Sequence, residues 1–128
     1  MTPPSILTHS LLLALAGGVG TLGRVGLTLL VGRLCGADYP WGTLAANLLG
    51  SCAFGAIVGA VRSRGGWANG LETLLMVGVL GGFTTFSSYA FQTLELLEAG
   101  RPLAAVGYAL GTNLVALAAV FIGLRLAS

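Results

Sequence analysis

Four long apolar stretches, separated by short polar segments, run along the chain. They cover about residues 10–34, 41–61, 71–97 and 102–126. Each is close to the roughly 20 residues that an α-helix needs to cross the hydrocarbon core of a bilayer. A closed membrane barrel would need many more strands than this length supplies. The pattern therefore predicts an all-α integral membrane protein with four transmembrane helices, forming a single domain over residues 1–128.

The composition supports this class. Hydrophobic residues make up 55% of the chain and charged residues only 8%, against roughly 25% charged in soluble domains. A soluble enzyme is excluded on this ground. The chain has no lysine, and its six arginines are scattered, so no basic patch for nucleic acid is present. The expected partners are membrane lipid and a transported solute, in the cell (inner or plasma) membrane.

The position of the carboxylates bears on the type of transport. All four acidic residues fall at or near predicted membrane edges, and the single imidazole, His9, precedes the first stretch. Proton-coupled exporters need an ionisable group inside the membrane. A small coupled transporter for another solute is therefore the weaker alternative. A noncatalytic assembly protein built on small-residue helix packing is a further alternative, since many of the 21 glycines recur at four-residue spacing.

The centre of the third stretch predicts an interrupted helix. Gly81 and Gly82 are adjacent and are followed by hydroxyl residues, and each glycine weakens a helix by about 1 kcal/mol. A break here would free carbonyl oxygens near Gly78 and Gly81, which can hold a cation. The half-helix starting near Phe83 would present N–H groups and a positive dipole end to an anion. A simple packing kink is the alternative.

Residues after this break offer an unusual lining. Phe83 and Phe86 are three apart and are expected to share a helix face, beside a stripe of hydroxyl groups. Ring edges are positive and hydroxyls donate hydrogen bonds, so both can favour an anion. Packing of the two phenylalanines against other helices is the alternative. The hydroxyl stripe consists of Thr84, Ser87 and Ser88.

Other spans carry polar groups at helical spacing. Thr43 and Asn47 are four apart on the second, and Tyr108 and Thr112 are four apart on the fourth. They can donate to an anion or act as interhelical clamps. Arg24 lies inside the first span, where a charge is costly unless it finds acceptors. It can attract anions to a vestibule or hold the fold by donating to carbonyls near the break.

Two features predict an oligomer. A chain of 128 residues in four helices cannot easily enclose an aqueous path while packing its own interior. Arginines divide three against two between the membrane faces, with 62, 64 and 125 on one face and 33 and 101 on the other. Such a small bias does not fix one orientation. The hypothesis that follows is insertion in both orientations and an antiparallel dimer.

Taken together, four motifs resemble the Fluc/CrcB family of fluoride channels, in order and over nearly the whole chain. The third motif, Gly81-Gly82-Phe83-Thr84-Thr85-Phe86-Ser87, is the most specific. The others are Gly17-Gly18-x-Gly20-x-x-Gly23-Arg24, Trp41-Gly42-Thr43-Leu44-x-x-Asn47-x-x-Gly50-Ser51 and Tyr108-x-x-x-Thr112. Where the family commonly has Thr-Phe, this chain has Ser88-Tyr89.

The resemblance implies a dual-topology antiparallel homodimer that passively exports fluoride and confers fluoride resistance, with a structural sodium ion at its centre. It implies that the carbonyls of Gly78 and Gly81 face the sodium ion. For Arg24, the chemistry of a charge inside a membrane span favours the structural role over the attraction of anions. Fluoride rather than chloride is implied by the resemblance alone. The implied fluoride pathway comprises Thr43, Asn47, Phe83, Thr84, Thr85, Phe86, Ser87, Tyr108 and Thr112.

Overall fold

The computed structural model describes residues 5–66 and 70–128, and over these ranges every regular element is helical. The elements are α1 (Ile6–Cys35), α2 (Trp41–Arg64), α3 (Leu71–Thr73), a π-helical segment (Leu74–Val79), α4 (Leu80–Phe83), α5 (Phe86–Glu98) and α6 (Pro102–Leu126). Four stretches are long and apolar enough to cross a membrane, the third being Leu71–Glu98, which runs from α3 through α5. The prediction of an all-α protein with four spans is confirmed.

The helix ends follow local sequence signals. Ser5 precedes α1, and its hydroxyl accepts a hydrogen bond from the Thr8 N–H at 3.2 Å. The connection to α2 begins at Gly36, with φ of +84°. Gly65 closes α2 in the left-handed conformation, with φ of +74°. Pro102 occupies the first position of α6, where its missing N–H costs no helical hydrogen bond.

Helices α2 and α6 meet along a seam of glycines. A Cβ placed on Gly55 would lie 2.0 Å from the Val120 carbonyl oxygen, and one placed on Gly123 would lie 2.0 Å from that of Cys52. Only glycine allows such an approach of two backbones. The expected small-residue packing is therefore present here. It does not extend to Gly107 and Gly111, around which no other atom lies within 4 Å of an added Cβ.

A second seam joins α1 to the first half of the third span. A Cβ on Gly20 would lie 1.9 Å from the Val79 carbonyl oxygen, and one on Gly82 would lie 2.3 Å from that of Gly17. The π-helical segment and α4 thus rest directly on the α1 backbone. The two seams thus fix α6 against α2 and the first half of the third span against α1.

Most large apolar side chains point outward, as a lipid environment allows. Leu22, Leu103 and Leu117 are each at least 70% exposed. The buried apolar cluster is small and contains Leu96, Ala105 and Tyr108. Helix contact in the remainder of the fold therefore depends on backbone approach rather than on a large apolar core, as expected where lipid tails are as apolar as the side chains.

The third span is broken, but three residues later than expected. Thr84 and Thr85 are extended, with φ/ψ of −85°/156° and −150°/119°, whereas Gly81 and Gly82 lie inside α4. The expected helix start near Phe83 is wrong. The hydroxyl residues explain the difference. The N–H and hydroxyl of Thr84 both donate to the Leu80 carbonyl at 2.9 Å, which closes α4.

The start of α5 has its own local signal. The Thr85 side-chain oxygen accepts the Ser88 N–H at 3.2 Å and so caps the N-terminus of α5. Since Thr84 ends one helix and Thr85 begins the next, the break requires only two residues. Of the two glycines that precede it, Gly82 allows α4 to approach the backbone of α1.

Candidate functional site

The break is held from across the molecule by Asn47 on α2. Its Nδ2 donates to the Thr85 carbonyl oxygen at 3.1 Å, and its Oδ1 accepts the Thr85 N–H at 2.8 Å. The pair satisfies the Thr85 N–H, which belongs to no helix, and adds a second donor to the Thr85 carbonyl, which as the N-cap carbonyl of α5 also accepts the first helical N–H. One Nδ2 hydrogen is left for a further acceptor. Asn47 is therefore a clamp and retains a donor.

Arg24 reaches the same region from α1. Its Nε donates to the Gly82 carbonyl oxygen at 3.2 Å, and the residue is half-buried. This contact favours the structural interpretation, in which the guanidinium bonds a carbonyl just before the break. A buried charge in a membrane helix needs such an acceptor. Arg24 does not line the open groove on the other side of the break.

This groove, of about 420 Å³, runs along the break between α2, α5 and α6. Among the described residues that line it, none is charged. The groove combines amide and hydroxyl groups with apolar and aromatic walls. Six of the residues assigned from sequence to the fluoride pathway or the sodium site lie on it: Asn47, Gly81, Thr84, Thr85, Phe86 and Thr112.

Thr112 has the most distinctive environment in the groove. The residue is 7% exposed, and its hydroxyl has no hydrogen-bond partner within the described part of the chain. Buried hydroxyls are normally paired with protein or with ordered water. Because Thr112 also lines the groove, an ion or water that enters there is the partner we expect for this buried hydroxyl.

The two phenylalanines named from sequence differ in position. Phe86 is 78% exposed and lines the groove. The Phe83 ring instead lies between α1 and α2, within 3.5 Å of a Cβ added to Gly23 and within 3.3 Å of one added to Gly50. The expectation that both rings share one helix face is wrong, because the extended residues Thr84 and Thr85 separate them.

The aromatic partner of Phe86 is Tyr89, whose ring centroid lies 5.5 Å away. From there a row of rings continues toward the membrane edge. Tyr89 lies 5.4 Å from Tyr108, Tyr108 lies 5.5 Å from Tyr39, and Tyr39 lies 4.5 Å from Trp41. We call these five residues the aromatic row. They connect the groove to the loop between α1 and α2.

Tyr108 lies behind the groove rather than on it. The residue is fully buried, and its hydroxyl donates to the Gln92 side-chain carbonyl oxygen at 3.0 Å. Thr43, 4% exposed, lies beside the same phenol. A second cavity of about 290 Å³ opens at the membrane edge and is lined in part by Tyr39, Gln92 and Glu95. Tyr108 therefore lies between the two cavities.

The other positions named from sequence are placed as follows. Ser87 is exposed, and its hydroxyl lies 3.3 Å from that of Thr85. Gly78 is buried, with Ala16 2.6 Å from an added Cβ. The Gly81 carbonyl loses the N–H that an uninterrupted helix would provide, since the Thr85 N–H donates to Asn47 instead. Of the two glycines, only Gly81 lies on the groove.

Three residues at or beside the groove, Tyr89, Asn113 and Gln92, have no role assigned from the sequence. Tyr89 and Asn113 hydrogen-bond each other, with Asn113 Nδ2 donating to the Tyr89 oxygen at 2.9 Å. Gln92, the acceptor for Tyr108, was not singled out. The spacing of Phe86, Tyr89 and Gln92, each three residues from the next, indicates one face of α5.

Fold and site together define a class of protein, a polytopic helical membrane protein with an uncharged, donor-bearing groove at a broken helix. The family model described as CrcB-like protein, Camphor Resistance (CrcB), matches residues 11–124. The chain therefore belongs to the CrcB family.

Curated relatives cover nearly the whole chain. The Fluoride-specific ion channel FluC of Paracoccus denitrificans (strain Pd 1222) is 43% identical over 111 residues, 87% of each chain. The protein of the same name from Mesorhizobium japonicum is 41% identical over 91% of this chain and 94% of its own length. One from Thermus thermophilus is 44% identical over 91% of this chain and 92% of its own length.

Proposed function

We propose that the protein is a fluoride channel of the plasma membrane, which exports fluoride passively from the cytoplasm and confers resistance to it. The observation that carries this proposal is the uncharged groove beside the break, with Asn47, Phe86 and Thr112 on its walls. Relatives named for fluoride-specific conduction, at 41–44% identity, supply the identity of the ion.

The groove meets the physical requirements of anion permeation. Fluoride gives up tightly held water on entering a narrow path, so the path must offer donors in compensation. The Thr112 hydroxyl and the second Nδ2 hydrogen of Asn47 are such donors. The edge of the exposed Phe86 ring adds a weakly positive surface. A cationic side chain projecting into the groove would hold the ion too strongly, and a carboxylate would repel it.

The proposed channel is an antiparallel homodimer of subunits inserted in both orientations. The groove is open along one side, and Phe86 is 78% exposed, so a second subunit would be needed to enclose a path there. The division of arginines, three against two, favours insertion in either direction. Reporter fusions to the C-terminus test this. Activity on both faces of the membrane is expected, and activity confined to one face would contradict dual topology.

A structural sodium ion at the dimer centre is part of the proposal, and the donor set fits a hard cation. Among the described residues no cluster of three His, Cys, Asp or Glu side chains could hold a metal. Backbone carbonyls are the remaining ligands, and the Gly81 carbonyl is deprived of its helical donor at the groove. Gly78 lies against α1, which makes it the weaker of the two positions. A bound sodium ion would join subunits through neutral oxygens.

Reconstitution into liposomes tests the function directly. Vesicles loaded with potassium fluoride are diluted into fluoride-free medium, valinomycin is added to clamp the voltage, and efflux is followed with a fluoride electrode. We expect rapid, passive efflux that needs no proton gradient. Protein-free vesicles and vesicles loaded with chloride serve as controls. Absence of fluoride efflux from vesicles that contain folded protein would refute the proposal.

A further inference from the structure

We propose that the Tyr89 hydroxyl is an exchangeable hydrogen-bond donor to the permeating anion, and that Asn113 is the positioning residue that releases it. The inference rests on the proposed function and adds a residue pair to the same groove. Both residues line it, Tyr89 on α5 and Asn113 on α6.

The first argument is an excess of donors at one carbonyl. The Ala109 oxygen accepts the Tyr89 hydroxyl at 3.1 Å and the Asn113 Nδ2 at 2.7 Å. It also has the Asn113 N–H, its donor in the regular α6 helix. Three donors thus converge on an oxygen with two lone pairs. The Tyr89 hydroxyl can leave without making the carbonyl unsatisfied.

The second argument is that the Tyr89 hydroxyl can leave the Ala109 carbonyl by moving a single hydrogen atom. A phenol O–H turns about its C–O bond while the ring stays in place. The Tyr89 ring is held between Phe86 and Tyr108, with centroid distances of 5.5 and 5.4 Å. A turn of the hydroxyl would therefore redirect the donor and leave the aromatic row unchanged.

The third argument concerns the strength of the redirected donor. Asn113 Nδ2 donates to the Tyr89 oxygen at 2.9 Å. A hydroxyl that accepts a hydrogen bond becomes a better donor, because bonds in a chain polarise one another. The order Asn113 amide, Tyr89 hydroxyl, anion therefore places a polarised neutral donor in the same groove as Thr112, whose hydroxyl lacks a partner among the described residues.

The test begins with Tyr89→Phe, which removes the hydroxyl and keeps the ring. If the hydroxyl serves the anion, fluoride efflux per folded channel falls roughly tenfold, the scale of one hydrogen bond to a charged group. Thr93→Val is the matched control. It removes another α5 hydroxyl, one that donates to the backbone of its own helix at Tyr89, and efflux is expected to stay unchanged.

A double-mutant cycle with Asn113→Leu tests the release mechanism. Without the Asn113 amide, the Ala109 carbonyl depends more on the Tyr89 hydroxyl, so efflux should fall. The same substitution should have little effect in the Tyr89→Phe background, because the hydroxyl is already absent. Equal losses in both backgrounds would show that Asn113 acts independently of Tyr89 and would overturn its assignment.

Fluoride efflux from Tyr89→Phe separates this idea from a purely structural tie between α5 and α6. Parent-like efflux from Tyr89→Phe, with or without lower thermal stability, would overturn the inference while leaving the proposed channel intact. Absence of efflux from the parent protein would instead refute the proposed function itself.

Discussion

The glycine seams and the groove differ in what forms them: backbone atoms in the seams and side chains in the groove. In the seams, backbones meet so closely that an added Cβ would lie about 2 Å from a carbonyl oxygen at Gly20 and Gly123. In the groove, side chains stand apart and leave an open volume of about 420 Å³. The glycines in the seams therefore act by having no side chain, which lets two backbones come into contact. Residues in the groove act through the donors and ring edges that they present.

The third span takes part in both: it packs closely against other helices before the break and lines the groove after it. Up to Phe83, the third span contacts α1 and α2 through glycines. After Thr85, it presents Phe86 to the groove. Substitutions before the break should therefore change stability, and those after it should change conduction.

The largest effect is expected from Gly123→Ala. The new methyl would lie 2.0 Å from the Cys52 carbonyl oxygen, so α2 and α6 must separate. The cost is at or above the upper end of the ~1–3 kcal/mol typical of overpacking. Melting of the purified protein, followed by fluorescence-detected size exclusion, should show a large loss. Gly107→Ala on the same helix meets open space and is the control. Equal melting temperatures for the two variants would contradict the close packing of α2 against α6 at Gly123.

The next largest effect is expected at the two phenylalanines, which should differ in whether substitution lowers efflux or stability. Phe86→Ile should lower fluoride efflux about tenfold, equivalent to about 1.4 kcal/mol in barrier height, with little change in thermal stability. Phe83→Ile should do the reverse, because its ring fills space between Gly23 and Gly50. Efflux assays and melting curves on both proteins provide the comparison. A strong conduction defect in Phe83→Ile with normal stability would place that ring on the path after all.

Asn47→Ala is expected to affect both properties, since this residue belongs to both regions. It leaves the Thr85 N–H without a partner and removes one of the two donors to the Thr85 carbonyl, and one unsatisfied buried group costs about 1–3 kcal/mol. It also removes a groove donor. Ser51→Ala, one turn further along α2 and also on the groove, should change stability little. If Asn47→Ala melts like the parent, the clamp does not hold the break.

The smallest expected effect is that of pH. Burial raises the pKa of the Tyr39 phenol, and the Arg101 charge opposes this only in part. A raised pKa keeps the phenol neutral below its ordinary value of 10.0, so its contribution to stability is retained there and lost only as pH rises beyond it. Efflux and melting temperature should be constant from about pH 7.5 to about pH 9.5, a window that lies below the ordinary phenol pKa. A sigmoidal change within that window would contradict a neutral Tyr39 at the end of the aromatic row.

The spans and the existence of the break could be predicted because their causes are local. Apolar length alone predicted the third span over residues 71–97, and it is found at Leu71–Glu98. The break was placed at Gly81 because glycine weakens a helix. The hydroxyls of Thr84 and Thr85 determine it instead, through bonds to Leu80 and Ser88.

The arrangement of the site could be predicted only in part, because its decisive contacts join distant segments. Asn47 was named as a donor, but its pairing with Thr85 spans 38 residues. Phe83 and Phe86 look alike in sequence, and only the approach of Gly23 and Gly50 distinguishes them. The pair of Tyr89 and Asn113 likewise joins two helices whose register no local pattern fixes.

The hydrogen bonds at the break have a consequence for biogenesis. Arg24, Asn47 and Thr84 donate to backbone carbonyls, and the Thr85 hydroxyl accepts the Ser88 N–H, all within a single polypeptide. A newly inserted chain can therefore form the break in its third span while it is still a monomer in the bilayer. Assembly of the proposed dimer would then require only that two already folded surfaces match, whichever orientation each subunit had taken on insertion.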